Sequence, residues 1–156
     1  MTQNFQPIIN IRPVVADAAK GRASVKVEEL WKRLTLLKDA FWALPKAGGV
    51  IGPSDAGSRL DASTEFVRQY CETAQFLNQE MPSIPKAIAE EASALLRIAQ
   101  DEAIRARLFP DPFAGAALGE RAFTDFLERR SSNLKNFNAG VDNLQNTMRA
   151  FIEGNG

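Results

Sequence analysis

The stretch GGVIGPSDAGSR, which begins at Gly48, has the spacing of a phosphate-binding loop. Gly52 and Gly57 stand five positions apart, as in the P-loop pattern G-x-x-x-x-G-K-[ST], whose amides and lysine hold phosphate while its hydroxyl holds magnesium. Here Ser58 takes the lysine position, Arg59 takes the hydroxyl position, and a helical segment precedes the loop. The residue types therefore predict a turn between two helices, with a capping-box-like S-R-L-D pattern from Ser58 starting the second.

The other reactive side chains form no catalytic pattern in the sequence. The chain has no histidine, which removes Ser-His-Asp and Cys-His nucleophile systems and histidine-based metal sites. Cys71 is the only cysteine, and we expect a partly buried structural thiol within a helix. Acidic residues come as neighbouring pairs: Glu28-Glu29, Glu90-Glu91 and Asp101-Glu102. Because neighbours on a helix do not face one point, we predict no catalytic residue, no cofactor and no metal.

Charge is balanced over the whole chain and uneven along it. Nineteen basic residues match nineteen acidic ones, so no overall field attracts nucleic acid or an anionic membrane. Residues 1–50 nevertheless hold eight Lys or Arg against four Asp or Glu. We expect no nucleic-acid partner, and a nucleic-acid-binding accessory protein that uses this basic third is kept as the alternative function. An enzyme with a carboxylate/Arg site is the less favoured alternative.

The sequence also bears on the compartment. No run approaches the roughly 18 apolar residues that span a bilayer, so we expect no membrane partner. The N-terminus lacks the basic and apolar regions of a secretory signal. A single cysteine suits a reducing environment. Together these features predict a cytoplasmic protein.

Four helical segments must position whatever site the chain has. The first, over about residues 25–44, carries an apolar heptad stripe: Val27, Leu30, Leu34, Leu37, Phe41 and Leu44. The second, over about residues 60–80, is predicted to bury the set Leu60, Val67, Tyr70, Ala74, Leu77 and Met81. The third has a seam rich in alanine: Ile88, Ala92, Leu95, Ala99 and Ala103. Such stripes bury well only against one another, so the sequence predicts an all-α, antiparallel four-helix bundle.

The fourth segment, over about residues 120–152, is the longest and would span about 50 Å. Its excess length must bend, overhang or pair with another chain, and the candidate positions for a bend are Gly140 and the polar stretch SSN at residues 131–133. Arg130 falls on its apolar seam, where it either reaches the edge, pairs with an acid of a neighbouring helix or helps to set the register.

Residues 1–23 differ in character from the bundle domain predicted at residues 24–153. The sequence FQPIINIRPVV, from Phe5, is apolar, β-branched and interrupted by Pro7 and Pro13. It therefore predicts an extended N-terminal arm that lies along the bundle or against a partner.

Apolar side chains outside the heptad stripes indicate the function. Aromatic residues give large contact areas at low entropic cost, although the same side chains could equally cap the ends of the bundle. The interface candidates are Phe5, Ile8, Ile9, Ile11, Trp31, Leu36, Trp42, Phe109, Phe113 and Phe151. We expect a non-enzymatic scaffold, adaptor or accessory subunit that binds a protein partner or itself as a homo-oligomer.

Overall fold

The computed structural model describes residues 6–45, 55–113 and 119–154; the side chains of residues 6–20 and 56 fall outside this description. Four long helices account for most of these residues: α1 (Gln6–Trp42), α2 (Ala56–Glu80), α3 (Lys86–Leu108) and α4 (Glu120–Ile152). A short 3₁₀ turn, Met81–Ser83, connects α2 to α3. Each helix packs against its neighbours in the chain, and α4 packs back against α1. The predicted all-α four-helix bundle is confirmed.

The stripe of α1 forms the centre of the core. All six of its predicted residues are fully buried. The ring of Phe41 meets Phe66 of α2 edge to face at 4.9 Å and lies 5.4 Å from Phe137 of α4. Near the opposite end, the Lys26 ammonium lies 3.1 Å from the Glu80 carboxylate. The two contacts with α2 fix α1 antiparallel to it, and Val27 and Met148, which line one groove, show the same direction relative to α4.

The N-terminal part of α1 corrects the prediction of an extended arm. From Gln6 onward the chain is helical, so that prediction is wrong for residues 6–23. Pro7 falls in the first turn, where its missing N–H has no intrahelical acceptor to lose. Pro13 removes one interior hydrogen bond, which has a cost in free energy. The long helix that follows is already nucleated, and extending a nucleated helix by further residues is favourable, which offsets this cost. Phe5 lies outside the described residues.

In α2 the buried stripe is rotated from the predicted one. Leu60 and Met81 are exposed, while the most buried positions are Ser63, Phe66, Gln69, Thr73 and Leu77. Polar residues can occupy this line because their hydroxyl groups find acceptors, one within α2 and one in the segment after α3. The Thr73 hydroxyl donates to the Gln69 carbonyl at 2.7 Å, and the Ser63 hydroxyl donates to the Pro110 carbonyl at 2.6 Å. Of the predicted set, Leu77 is buried, and Val67, Tyr70 and Ala74 are partly buried against the core, so apolar spacing alone displaced the stripe without reversing the face.

The long helix α4 is continuous and begins and ends at the predicted residues. Gly140 does not interrupt it; a Cβ at this position would collide with the Leu95 side chain of α3. Glycine therefore allows α3 and α4 to approach closely. The first turns of α4 are covered by the segment after α3, where Phe113 packs against Phe123 with ring centroids 5.1 Å apart.

Candidate functional site

The described part of the glycine-rich stretch, from Asp55 onward, forms the start of α2. The side chains described there are not those that a phosphate-binding loop requires. Asp55 caps α2 by accepting hydrogen bonds from the Ser58 amide at 2.8 Å and the Ser58 hydroxyl at 2.9 Å. These bonds lower the pKa of Asp55. The predicted capping box at Ser58 is thus replaced by a cap three residues earlier. Gly52 lies outside the described residues.

Arg59, which stands where a P-loop would have its hydroxyl, is engaged in a two-pronged ion pair. Its Nε lies 2.7 Å from Asp111 Oδ1 and its Nη2 lies 3.2 Å from Oδ2. The same carboxylate accepts a hydrogen bond from the Phe113 amide at 3.0 Å, and the guanidinium lies 5.0 Å from the Phe113 ring. Hydrogen bonding to Arg59 lowers the pKa of Asp111. The pair braces the start of α2 against the segment that follows α3.

A second arginine, Arg130 of α4, forms a buried ion pair in the core. Both Arg130 and Glu102 of α3 are fully buried, with Arg130 Nε 2.9 Å from Glu102 Oε2. Arg130 Nη1 donates to the Pro45 carbonyl at 3.0 Å, and its guanidinium lies 4.7 Å from the Phe126 ring centroid. Burial lowers the pKa of Arg130, and the nearby Glu102 carboxylate opposes that shift. Of the three roles considered for this seam arginine, pairing with an acid of a neighbouring helix is confirmed.

The neighbouring acids Asp101 and Glu102 of α3 are joined by Asn133 of α4, so their convergence depends on tertiary packing. The Asn133 amide donates to Asp101 Oδ2 and to Glu102 Oε1, each at 2.9 Å. Arg129 pairs with Asp101 at 2.9 Å, and Arg105 lies 3.4 Å from Glu102. These residues, together with Arg130, form a charged cluster that links α3 to α4.

The charged cluster is closed to solvent at its centre. Glu102 and Arg130 expose none of their side chains, so a dissolved substrate has no contact with them in this conformation. In the described residues, no group of three or more acidic or cysteine side chains is placed to hold a metal ion. Cys71 is exposed, which corrects the expectation of a partly buried thiol. No helix in the described ranges is long and apolar enough to cross a membrane.

Phe5 lies outside the described residues, and the other nine predicted interface residues fall into three groups. Ile8, Ile9 and Ile11 lie in the first turns of α1, with side chains outside the description. Three aromatic side chains are partly buried within the chain: Trp31, Phe109 and Phe151. The rings of Phe109 and Phe126 meet edge to face at 5.8 Å. The remaining three are substantially exposed: Leu36 (52%), Trp42 (47%) and Phe113 (45%).

A groove of about 360 Å³ lies between α1 and α4, and sequence reasoning missed it as a unit. Its apolar lining consists of Val27, Trp31, Met148 and Ile152. Its charged rim consists of Glu28, Lys32, Arg149 and Glu153, all exposed. Among the described side chains, none of these four forms an ion pair. We call this feature the α1/α4 groove.

Comparisons with protein-family models, with curated proteins and with solved structures gave no match to this chain.

Proposed function

We propose that this protein acts through protein–protein contacts, as a scaffold, adaptor or accessory subunit, and that it self-associates through α1. The observation that carries the proposal is the length of α1 relative to the rest of the bundle. α2 ends at Glu80 beside Lys26, and Ile152 at the end of α4 lines the α1/α4 groove together with Val27. The helix extends N-terminally from this level to Gln6, and its first 16 residues, 6–21, add about 24 Å.

The residue types in this extension favour contact with another molecule. Continuing the buried heptad of α1 backwards leads to Ala23, Lys20, Ala16 and Pro13, none of which is a large apolar residue. The extension contains five large apolar residues, of which Ile8, Ile11 and Val15 are spaced at i, i+3 and i+7 on one helical face, while Ile9 falls on the continued heptad. An amphipathic helix with this pattern requires an apolar surface to cover it, and a protein partner supplies one.

Exposed apolar residues elsewhere on α1 extend the same argument. Val25, Leu36 and Trp42 leave about half or more of their surface in solvent. Single exposed apolar residues are ordinary, but three on one helix that also outreaches its neighbours favour that helix as the contact element.

The buried charged cluster favours binding over catalysis. A carboxylate/Arg active site requires its acids to face a substrate, whereas Glu102 and Arg130 are enclosed and bonded to each other. Two of the eight basic residues in the first third are already paired within the chain, which weakens the case for nucleic-acid binding. Lys26 pairs with Glu80, and Arg33 pairs with Glu29 while stacking on Phe76. Basic residues that are neutralised in this way contribute little to phosphate binding.

Light scattering on the purified chain across a concentration series tests the proposal. We expect an oligomer in the micromolar range, and the Trp42→Ala variant should dissociate at least tenfold more readily. The control is Leu108→Ala, since Leu108 is also exposed but lies on α3. A wild-type protein that stays monomeric at high micromolar concentration would contradict self-association.

A further inference from the structure

Arg130 interrupts an otherwise apolar heptad series in α4. Counted in steps of seven, the series is Phe123, Arg130, Phe137, Leu144 and Phe151. A matching series, which extends one residue beyond α3, is Ile88, Leu95, Glu102 and Phe109. Each series therefore contains one charged residue. In the folded chain these two charged residues pair with each other at 2.9 Å, and both side chains are fully buried.

The apolar residues around this pair specify the alignment of α3 and α4 only weakly. The buried face of α3 is rich in small side chains: Ala89, Ala92, Ala99, Ala103 and Ala106. The buried face of α4 repeats a large apolar residue in every heptad: Leu127, Leu134, Val141 and Met148. A shift of α4 along α3 by seven residues, or about 10 Å, therefore exchanges one large apolar residue for another against the same small ones.

The charged pair distinguishes between these alignments. A shift by one heptad in either direction places Phe123 or Phe137 opposite Glu102 and leaves its carboxylate buried without Arg130. Separating a buried pair in this way is strongly unfavourable, because the remaining charge has lost both its solvent and its partner. We propose that Glu102 and Arg130 form a register key, which selects one alignment of α4 against α3 from those that apolar packing allows.

Neighbouring polar contacts belong to the same alignment. The Asn133 amide donates to both Asp101 and Glu102, and further along the two helices the Thr147 hydroxyl donates to the Glu91 carboxylate at 3.1 Å. A shift of α4 breaks these contacts together with the buried pair. The polar groups between α3 and α4 therefore all favour the observed alignment.

Two other features constrain the alignment less strongly. A shift by one heptad brings Asn133 or Thr147 to the position of Gly140, where a Cβ collides with the Leu95 side chain. The nearest colliding atom is a terminal methyl, which rotation of the Leu95 side chain can move away. The eleven residues 109–119 that connect the helices can span about 36 Å, so the length of the connection permits the shift.

The register key also determines which surface the bundle presents at its other end. Met148, Arg149 and Ile152 of α4 line the α1/α4 groove, about 30 Å along the helix from Arg130. A shift of α4 replaces them in the groove by residues one heptad away. The buried pair thus controls the composition of a surface that it does not contact, and this inference does not depend on self-association.

The distance between two spin labels measures the alignment directly. In a Cys71→Ser background, cysteines introduced at the exposed residues Gln100 of α3 and Asn146 of α4 carry the labels. We expect a single distance in this parent protein. Glu102→Leu/Arg130→Met leaves no charge buried alone, and in this variant a second distance, displaced by about 10 Å, should hold about a tenth or more of the molecules. Circular dichroism establishes that the variant is folded.

Two controls separate alignment from stability. Arg68→Met/Glu72→Leu removes an ion pair of the same chemistry from the exposed face of α2. Leu134→Ala opens a cavity in the seam of α4 and lowers stability while leaving the buried pair in place. Both controls should keep the single distance of the parent.

The outcomes that overturn the register key are distinct. A folded Glu102→Leu/Arg130→Met variant with only the parental distance shows that apolar packing specifies the alignment alone. A second distance in the parent or in Leu134→Ala shows that loss of the charges is not its cause. Glu102→Met/Arg130→Leu exchanges the two apolar side chains in case the first variant does not fold. If neither variant folds, the pair is required for folding itself and does not select among folded alignments, which also overturns the proposal.

Discussion

The two ends of the bundle carry similar charged side chains in opposite settings. Where α4 begins, Arg130 and Glu102 are fully buried and bonded to each other. Where α4 finishes, four charges surround the α1/α4 groove, and they are exposed without ion pairs among the described side chains. We call these the closed end and the open end. Charge identity alone therefore does not assign a role. Desolvation at the closed end makes pairing obligatory, whereas the charges at the open end stay available to a partner.

The largest expected effect comes from breaking the pair at the closed end. Glu102→Ala leaves the Arg130 guanidinium buried without its carboxylate, which should destabilise the fold by about 3–5 kcal/mol. Chemical denaturation at neutral pH measures this change. Glu72→Ala is the control, because it removes an exposed partner of Arg68 and should cost at most about 1 kcal/mol.

A double variant separates the effect of an unpaired buried charge from the effect of side-chain packing. Replacing both partners by apolar residues, as in Glu102→Leu/Arg130→Met, should recover most of the stability lost in Glu102→Ala, because no buried charge is left unpaired. If the double variant is as unstable as Glu102→Ala, then the unpaired charge is not the cause and packing of this region is.

Substitution of the two tryptophans of α1 should give the next largest effects on stability, and the two effects should differ. Trp31 packs against the core beneath the α1/α4 groove, whereas Trp42 is 47% exposed near the closed end. Trp31→Ala should therefore lower stability by about 2 kcal/mol, and Trp42→Ala by less than about 1 kcal/mol. Thermal denaturation of both variants measures the difference. A larger loss for Trp42→Ala would place that side chain in the fold and remove it from the contact surface.

The fold was predictable where burial follows apolar spacing. The stripes of α1, α3 and α4 consist of large or small apolar residues at heptad positions, and the helix bounds of α4 follow from the breaks on either side. In α2 the prediction failed because Ser63, Gln69 and Thr73 are buried. Whether a hydroxyl or amide can be buried depends on an acceptor that the fold supplies, such as the Pro110 carbonyl, and spacing does not reveal it.

The site was predictable only in part, for a related reason. An arginine on an apolar seam signals a buried pair, but its partner depends on the relative shift of α3 and α4, which no local pattern specifies. Asn133, which joins Asp101 to Glu102, lies in the polar stretch SSN at residues 131–133, where the sequence predicts a candidate bend and gives no sign of this contact. The rim of the α1/α4 groove combines residues of α1 and α4 that lie about 120 positions apart in the chain. Their types are common on any helix surface, so the sequence does not reveal the groove.

The smallest predicted effect on stability concerns the ion pair between Arg59 and Asp111. This pair is less buried than Glu102 and Arg130 at the closed end and more buried than the rim charges at the open end. Asp111 leaves 6% and Arg59 16% of its side chain exposed. Hydrogen bonding to Arg59 holds the pKa of Asp111 below its ordinary value of 3.8. The folded state therefore binds this proton less readily than the unfolded state, and stability rises with pH through this range. The contribution is complete above pH 3.8 and is lost as the pH falls through the lowered pKa of the folded state.

Asp111→Asn tests this dependence. The variant should be less stable than wild type at pH 7, and the difference should shrink as the pH falls below 3.8, because wild type then loses the same charge. Urea denaturation from pH 7 to pH 3 measures both proteins. Asp142→Asn, on the exposed face of α4, should differ little from wild type across the series. A stability difference for Asp111→Asn that stays constant over this range would show that the residue acts through the Phe113 amide and the shape of the loop. The charge of the brace would then contribute nothing, and pairing would matter only at the fully buried closed end.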